Sequence, residues 1–178
     1  SQAEHDEHAA SILVTDSPSL AEAVNREIAE RYQVTLNAER VREALQGPQS
    51  GILLVDDLRS AVTVTNAYAP EHLEIHTGNA RDVVAQIANA GAIFVGPHAP
   101  VPLGDYSAGS NHVLPTSGTA RFAPGLSTHT FLKPVNVVEY SADALAEVAD
   151  AVITLADAER LPAHGETIRA RREDYQGS

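Results

Sequence analysis

The chain of 178 residues is 43% hydrophobic, enough for one domain of ordinary size or one domain with a small appendage. Its 12 Lys and Arg stand against 24 Asp and Glu, and the resulting formal charge of -12 disfavours nucleic acid as a partner, because that affinity rests on cationic contacts to phosphate. No apolar run approaches the roughly 20 residues of a membrane helix, and without Cys there can be no disulfide, thiolate metal ligand or cysteine nucleophile.

The elements alternate in kind. Ser11 to Thr15 reads as a short apolar strand, and Ser19 with Glu22 has the pattern of a capping box before a helix carrying Leu20, Val24 and Ile28. A second helix is predicted from Asn37 to Leu45. The run GILLV, Gly51 to Val55, is apolar on both faces, as a buried parallel strand would be, and Asp57 to Tyr68 reads as a helix stopped by Pro70. Leu73 to His76 is a brief strand. Asn79 opens a helix with Val83, Val84 and Ile87 that Gly91 ends, and Ala92 to Val95 is another strand. From Pro97 to Gly109 the prolines and glycines predict a long loop with little regular structure, of the kind that more often carries function than not. Val135 to Tyr140 then reads as a strand. Ser141 caps a helix with Leu145, Val148, Val152 and Leu155 on one face, and Pro162 suits the first turn of a last, arginine-rich helix.

This rhythm gives an α/β fold class: an incomplete doubly wound, Rossmann-like sheet flanked by helices, with a small C-terminal α/β tail domain. The boundary is placed near Ala123 to Leu126, giving a body over residues 1–124 and a tail over 125–178 too small to bury a sizeable core alone. The polar start SQAEHDEH is unlike a signal peptide, so a soluble, cytoplasmic protein is expected, with no membrane and no nucleic acid as partner. Met is absent, and the sequence is read as part of a longer chain.

Two words carry the chemistry. NAYAPEHLEI places Glu71 beside His72, a carboxylate and an imidazole able to move protons near neutral pH. GDYSAGSNHVLPT offers Asp105 and His112 on a glycine-containing loop that could close over a polar ligand. Gln2 and His5 share one helical face by their spacing, and Glu159 and His164 flank Pro162 at a junction between helices. Taken singly, these are modest signals: a Glu-His pair after proline reads first as a solvated turn, and Gln2 with His5 as an exposed helical end. His8, His76 and His98 show no partner pattern, and Arg169, Arg171 and Arg172 suit salt bridges to an acidic body. Neither a G-x-G-x-x-G turn nor a Walker loop is present.

Together, QAEH at the start, APEHLEI, GDYSAGSNHVLPT and LPAHGE resemble histidinol dehydrogenase over Ser1 to about Arg172. The resemblance implies a zinc- and NAD-dependent enzyme that oxidises L-histidinol through histidinal to L-histidine. It implies Gln2, His5, Asp105 and His164 as ligands of Zn2+ that also meet substrate, and His72 as general base that takes the hydroxyl proton. It further implies Glu71 as the group that activates water, and His112 and Glu159 as substrate contacts. That family's chain is more than twice as long, and its principal NAD contacts lie in a half expected before Ser1, so these residues alone are expected to be inactive. The family also implies an intertwined homodimer whose tail completes the partner's site. His129 departs from the family's usual acidic or aromatic residue, outside the zinc and proton-transfer positions. Two other readings stand beside this one: a relative that oxidises another polar alcohol, and a non-catalytic zinc- or small-molecule-binding module.

Overall fold

A computed structural model describes residues 1–176, with side chains for residues 1–172. The chain divides into two compact units, Ser1–Leu132 and Lys133 onward. Residues 125 and 126 belong with the first: the Leu126 amide donates to the Val113 carbonyl at 2.8 Å, and Gly125 lies so close to that carbonyl that a Cβ would approach it to 3.0 Å.

The first unit contains α1 (Gln2–His5), β1 (Ile12–Thr15), α2 (Pro18–Arg31), α3 (Ala38–Gln46), β2 (Gly51–Leu54) and α4 (Leu58–Tyr68), followed by β3 (His72–Ile75), α5 (Ala80–Val84), β4 (Ala92–Val95) and α6 (Val101–Tyr106). The strands form two parallel pairs, β1 with β2 and β3 with β4, and no ladder joins the pairs among the described residues. The fold is therefore α/β with two small parallel sheets, where one continuous sheet was expected.

Local chemistry accounts for most element ends. Ser17, not Ser19, caps α2: its Oγ accepts the Leu20 amide at 3.2 Å, which leaves Pro18 at the first helical position that proline favours. Asp57 caps α4 through the Ser60 amide at 2.7 Å, and the bond holds its carboxyl below the usual carboxylate range. Helix α5 stops earlier than its apolar spacing predicts. The reason is Asn66 on α4, whose Oδ1 accepts the amides of Ala88 (2.7 Å) and Asn89 (3.2 Å) and whose Nδ2 donates to the Gln86 carbonyl (3.0 Å). Those captured groups cannot extend the helix. The proline-rich stretch also holds a helix after all, α6, because Pro100 and Pro102 fall at its N-cap and first turn, where a proline costs no intrahelical bond.

The run GILLV is not buried on both faces: Leu53 and Leu54 are 44% and 56% exposed, in a sheet of two strands among the described residues. In the second unit α7 (Ala142–Ala158) packs on α8 (Pro162–Gln176), with Ser141 Oγ accepting the Ala144 amide at 3.1 Å. The buried positions of α7 are the small residues Ala149 and Ala156, while Val152 and Leu155 stay exposed, so the predicted apolar face is offset from the contact. Arg169 pairs with Asp157 (3.2 Å) and Arg172 with Asp150 (2.6 Å), tying the two helices together. Val135 to Tyr140 forms no strand. Its alternation finds no ladder partner, and Val135, Val137 and Val138 stay exposed. No helix among the described residues is long and apolar enough to cross a membrane.

Replacing Asn66 by Ala leaves two backbone amides without their acceptor and should destabilise the protein by about 2 kcal/mol, read as a lower denaturant midpoint. Because Asp57 titrates below the usual range when folded, its contribution is full above the unfolded pKa and is lost as pH falls through the lowered folded value. An Asp57→Asn variant keeps a capping oxygen that does not titrate. The advantage of the wild type over it in chemical denaturation should therefore shrink across that acidic window.

Candidate active site

The turn before β3 is built from several sides. Ala69 ends α4 in a left-handed conformation (φ 58°), costly for a residue with a Cβ, and is 1% exposed, with its amide on the Thr65 carbonyl at 2.9 Å. The Arg121 guanidinium donates to the Ala67 carbonyl and lies 3.5 Å from the Tyr68 carbonyl, placing positive charge where the helix end is negative. The chain then turns through Pro70. Its carbonyl accepts the Gly91 amide at 2.9 Å, and that of Glu71 accepts the Ala92 amide at 2.8 Å. Gly91 is required there: a Cβ would come within 2.5 Å of the Glu71 carbonyl oxygen and 3.1 Å of Pro115.

His72 opens β3 opposite Ala92 of β4. Its side chain is 15% exposed against 39% for Glu71, and the Glu71 carboxylate lies 3.9 Å from Nδ1. The His72 ring leans on Phe94 with centroids 6.0 Å apart and planes inclined by 30°. Phe94 also supports α6, where a Cβ on Gly104 would meet its ring at 2.8 Å. The result is a small depression open to solvent. His72 of β3, Ala92 and Phe94 of β4, and Gly104 and Asp105 of α6 line it, together with Ser110, Asn111, His112 and Leu114 of the segment that follows.

Helix α1 brings the next residue in. Ala3 packs with Val41 and Ala44 of α3, and Glu4 accepts hydrogen bonds from Thr35 Oγ1 (2.5 Å) and Asn37 Nδ2 (3.0 Å), which hold its carboxyl below the usual range. With Ala3 and Glu4 pinned, Gln2 lies against His72, its amide Nε2 3.1 Å from Nδ1. When the amide donates, Nδ1 accepts and the proton of the neutral ring lies on Nε2; turning the amide reverses this.

Of the residues singled out in the sequence, the structure thus brings Gln2, Glu71, His72, Asp105 and His112 into one neighbourhood. His5 lies on α1, one turn from Gln2 and exposed. Glu159 and His164 belong to the second unit and are both exposed. They flank the turn that ends α7, in which the Leu161 amide bonds the Ala156 carbonyl at 2.8 Å. Among the described residues no three His, Asp or Glu side chains cluster closely enough to hold a metal ion. The chemistry of Gln2, His5, Asp105 and His164 nevertheless suits zinc: two imidazoles, a carboxylate and an amide oxygen make a mixed N/O donor set without thiolate.

Sequence reasoning passed over Phe94, Ser110 and Asn111. Asn111 had a readable signal, since Asn favours turns and its Oδ1 accepts the Val113 amide at 2.7 Å, bending the loop that presents His112. His76, which showed no partner pattern, lies with Nε2 3.0 Å from the Glu74 carboxylate.

A profile of the histidinol dehydrogenase family matches residues 1–172. The chain belongs to that family. It is 70% identical over 174 residues to the histidinol dehydrogenase of Corynebacterium diphtheriae, covering 98% of this chain and 39% of that protein. The histidinol dehydrogenase of Mycobacterium tuberculosis is 61% identical over 173 residues, covering 97% of this chain and again 39% of the relative. The crystal structure of histidinol dehydrogenase from Elizabethkingia anophelis superposes with a TM-score of 0.88 at 27% identity, over 98% of this chain and 40% of that one. The chain spans about two-fifths of the length of these relatives.

Removing the Gln2 amide in Gln2→Ala should release the His72 ring, read as a change in the imidazole signals of His72 in NMR spectra while those of His129 stay in place. An unchanged His72 signal would show that the contact does not orient the ring.

Proposed function

We propose that these residues form the substrate-side portion of an NAD-linked oxidoreductase that converts L-histidinol through histidinal to L-histidine. The observation that carries the reading is the pocket lined by His72, Asp105 and His112, with Glu71 and Gln2 beside His72, in a chain whose family match spans residues 1–172. Each oxidation moves a hydride from the substrate carbon to NAD, which supplies the electron acceptor. In the first, His72 takes the hydroxyl proton. Accepting it at Nε2 requires the neutral ring to carry its proton on Nδ1, with the Gln2 amide turned so that its oxygen accepts that N–H. In the second, Glu71 takes a proton from water as its oxygen adds to the aldehyde carbon; hydride leaves the resulting hydrate anion, and the carboxylic acid so formed loses its proton to give the carboxylate.

The residues that would hold Zn2+ are Gln2, His5, Asp105 and His164, and the ion would supply Lewis-acid polarisation and orientation of a bound substrate. His112 lines the same pocket as His72 and would contact the reacting hydroxyl, and Glu159 offers a carboxylate to the cationic substrate. We read the two parallel pairs as parts of an incomplete doubly wound sheet, the second unit as a domain that completes the site in a homodimer, and the setting as cytoplasmic. NAD is assigned to residues of the longer protein outside this chain.

The roles of Glu71 and His72 separate experimentally. In protein expressed from the complete gene, Glu71→Gln should slow oxidation of histidinal by about 100-fold or more while slowing oxidation of histidinol far less. Stopped-flow measurement of NADH from each substrate distinguishes the steps, and equal losses in both contradict the assignment.

A further inference from the structure

Side chains alternate along β3, so Glu74 shares a face with His72 and pairs in register with Phe94 of β4. His72 and Phe94 line the pocket, yet Glu74 does not. Its carboxylate reaches the start of α6, where Oε1 accepts the backbone amide of Val101 at 3.0 Å while Oε2 lies 3.0 Å from His76 Nε2. The Val101 amide is one that a helix cannot satisfy from within, and the residue is only 3% exposed, out of reach of bulk water. The residue before it, Pro100, has no side-chain oxygen to offer. Glu74 therefore supplies from the strand the acceptor that a capping residue supplies elsewhere. What it holds is short: α6 runs six residues, and within one turn of Val101 it delivers Gly104 onto Phe94 and Asp105 into the pocket wall.

We propose that Glu74 is a positioning residue. It docks α6 on the β3–β4 face and so sets the distance between Asp105 and His72, while His76 braces its second oxygen. The inference deepens the histidinol reading in its kinetic consequence and is independent of it in its structural one.

The test uses protein from the complete gene carrying Glu74→Ala or Glu74→Gln, with hydrogen exchange and steady-state kinetics measured on each. Glu74→Ala should raise amide exchange over Val101–Tyr106 by about 10-fold or more, leaving β3 and β4 protected, because only the local contact is lost. Its kcat/KM for histidinol should fall about 10- to 100-fold, the range a small misplacement of a site wall produces. Glu74→Gln keeps an acceptor oxygen for Val101 and should restore both readouts to within about 3-fold of wild type, a modest residue of lost charge. Unchanged exchange in α6 for Glu74→Ala, or equal loss in the Ala and Gln variants, overturns the proposal. If Glu74→Ala does not fold, Glu74→Gln decides: wild-type protection of α6 supports the latch and loss of protection refutes it. A wild-type protein inert toward histidinol would refute the functional reading alone, with the exchange data still deciding the role of Glu74.

Discussion

The site depends on one close approach, that of Gly91 to the Glu71 carbonyl. The amides of Gly91 and Ala92 bond the carbonyls of Pro70 and Glu71 at 2.9 and 2.8 Å, and no side chain fits at Gly91 without displacing one of them. The contact fixes the start of the β3–β4 ladder, and the ladder fixes His72 opposite Ala92 with Phe94 beside its ring. The left-handed turn at Ala69, the Arg121 clamp on α4 and the Asn66 bonds to residues 86, 88 and 89 converge on this point from other directions. A strained backbone residue of this sort persists where its surroundings over-determine it, as they do around Pro70.

Around that fixed strand the remaining groups arrive on short elements, each pinned by neighbours of its reactive residues. Helix α1 is held by Ala3 and Glu4, leaving Gln2 for His72. Helix α6 is held at Val101, leaving Asp105 for the pocket. The loop is bent by Asn111, leaving His112 in the pocket lining. Elements of four to six residues have little intrinsic stability, so their placement rests on these few tertiary contacts.

Much of this was legible in the sequence. The four strands lie within a residue or so of where apolar runs and turn signals put them, and the words around Glu71, His72, Asp105 and His112 marked residues that the fold gathers. What escaped was decided by partners distant in the chain. Nothing local says that Asn66 will capture the amides of Ala88 and Asn89 and cut α5 short, or that Glu74 will reach Val101. The alternation from Val135 to Tyr140 promised a strand, but a strand exists only with a ladder partner, and this chain supplies none among its described residues. The two exposed leucines of β2 teach the same lesson: an apolar run reports what a segment can bury, and its neighbours decide how much it does.

The most direct test of the assignment is calorimetric titration of L-histidinol into protein expressed from the complete gene, once with zinc bound and once after chelation. Binding that requires the metal would place substrate at the donor set of Gln2, His5, Asp105 and His164 beside His72. Binding of equal strength after chelation, or none in either state, would contradict it.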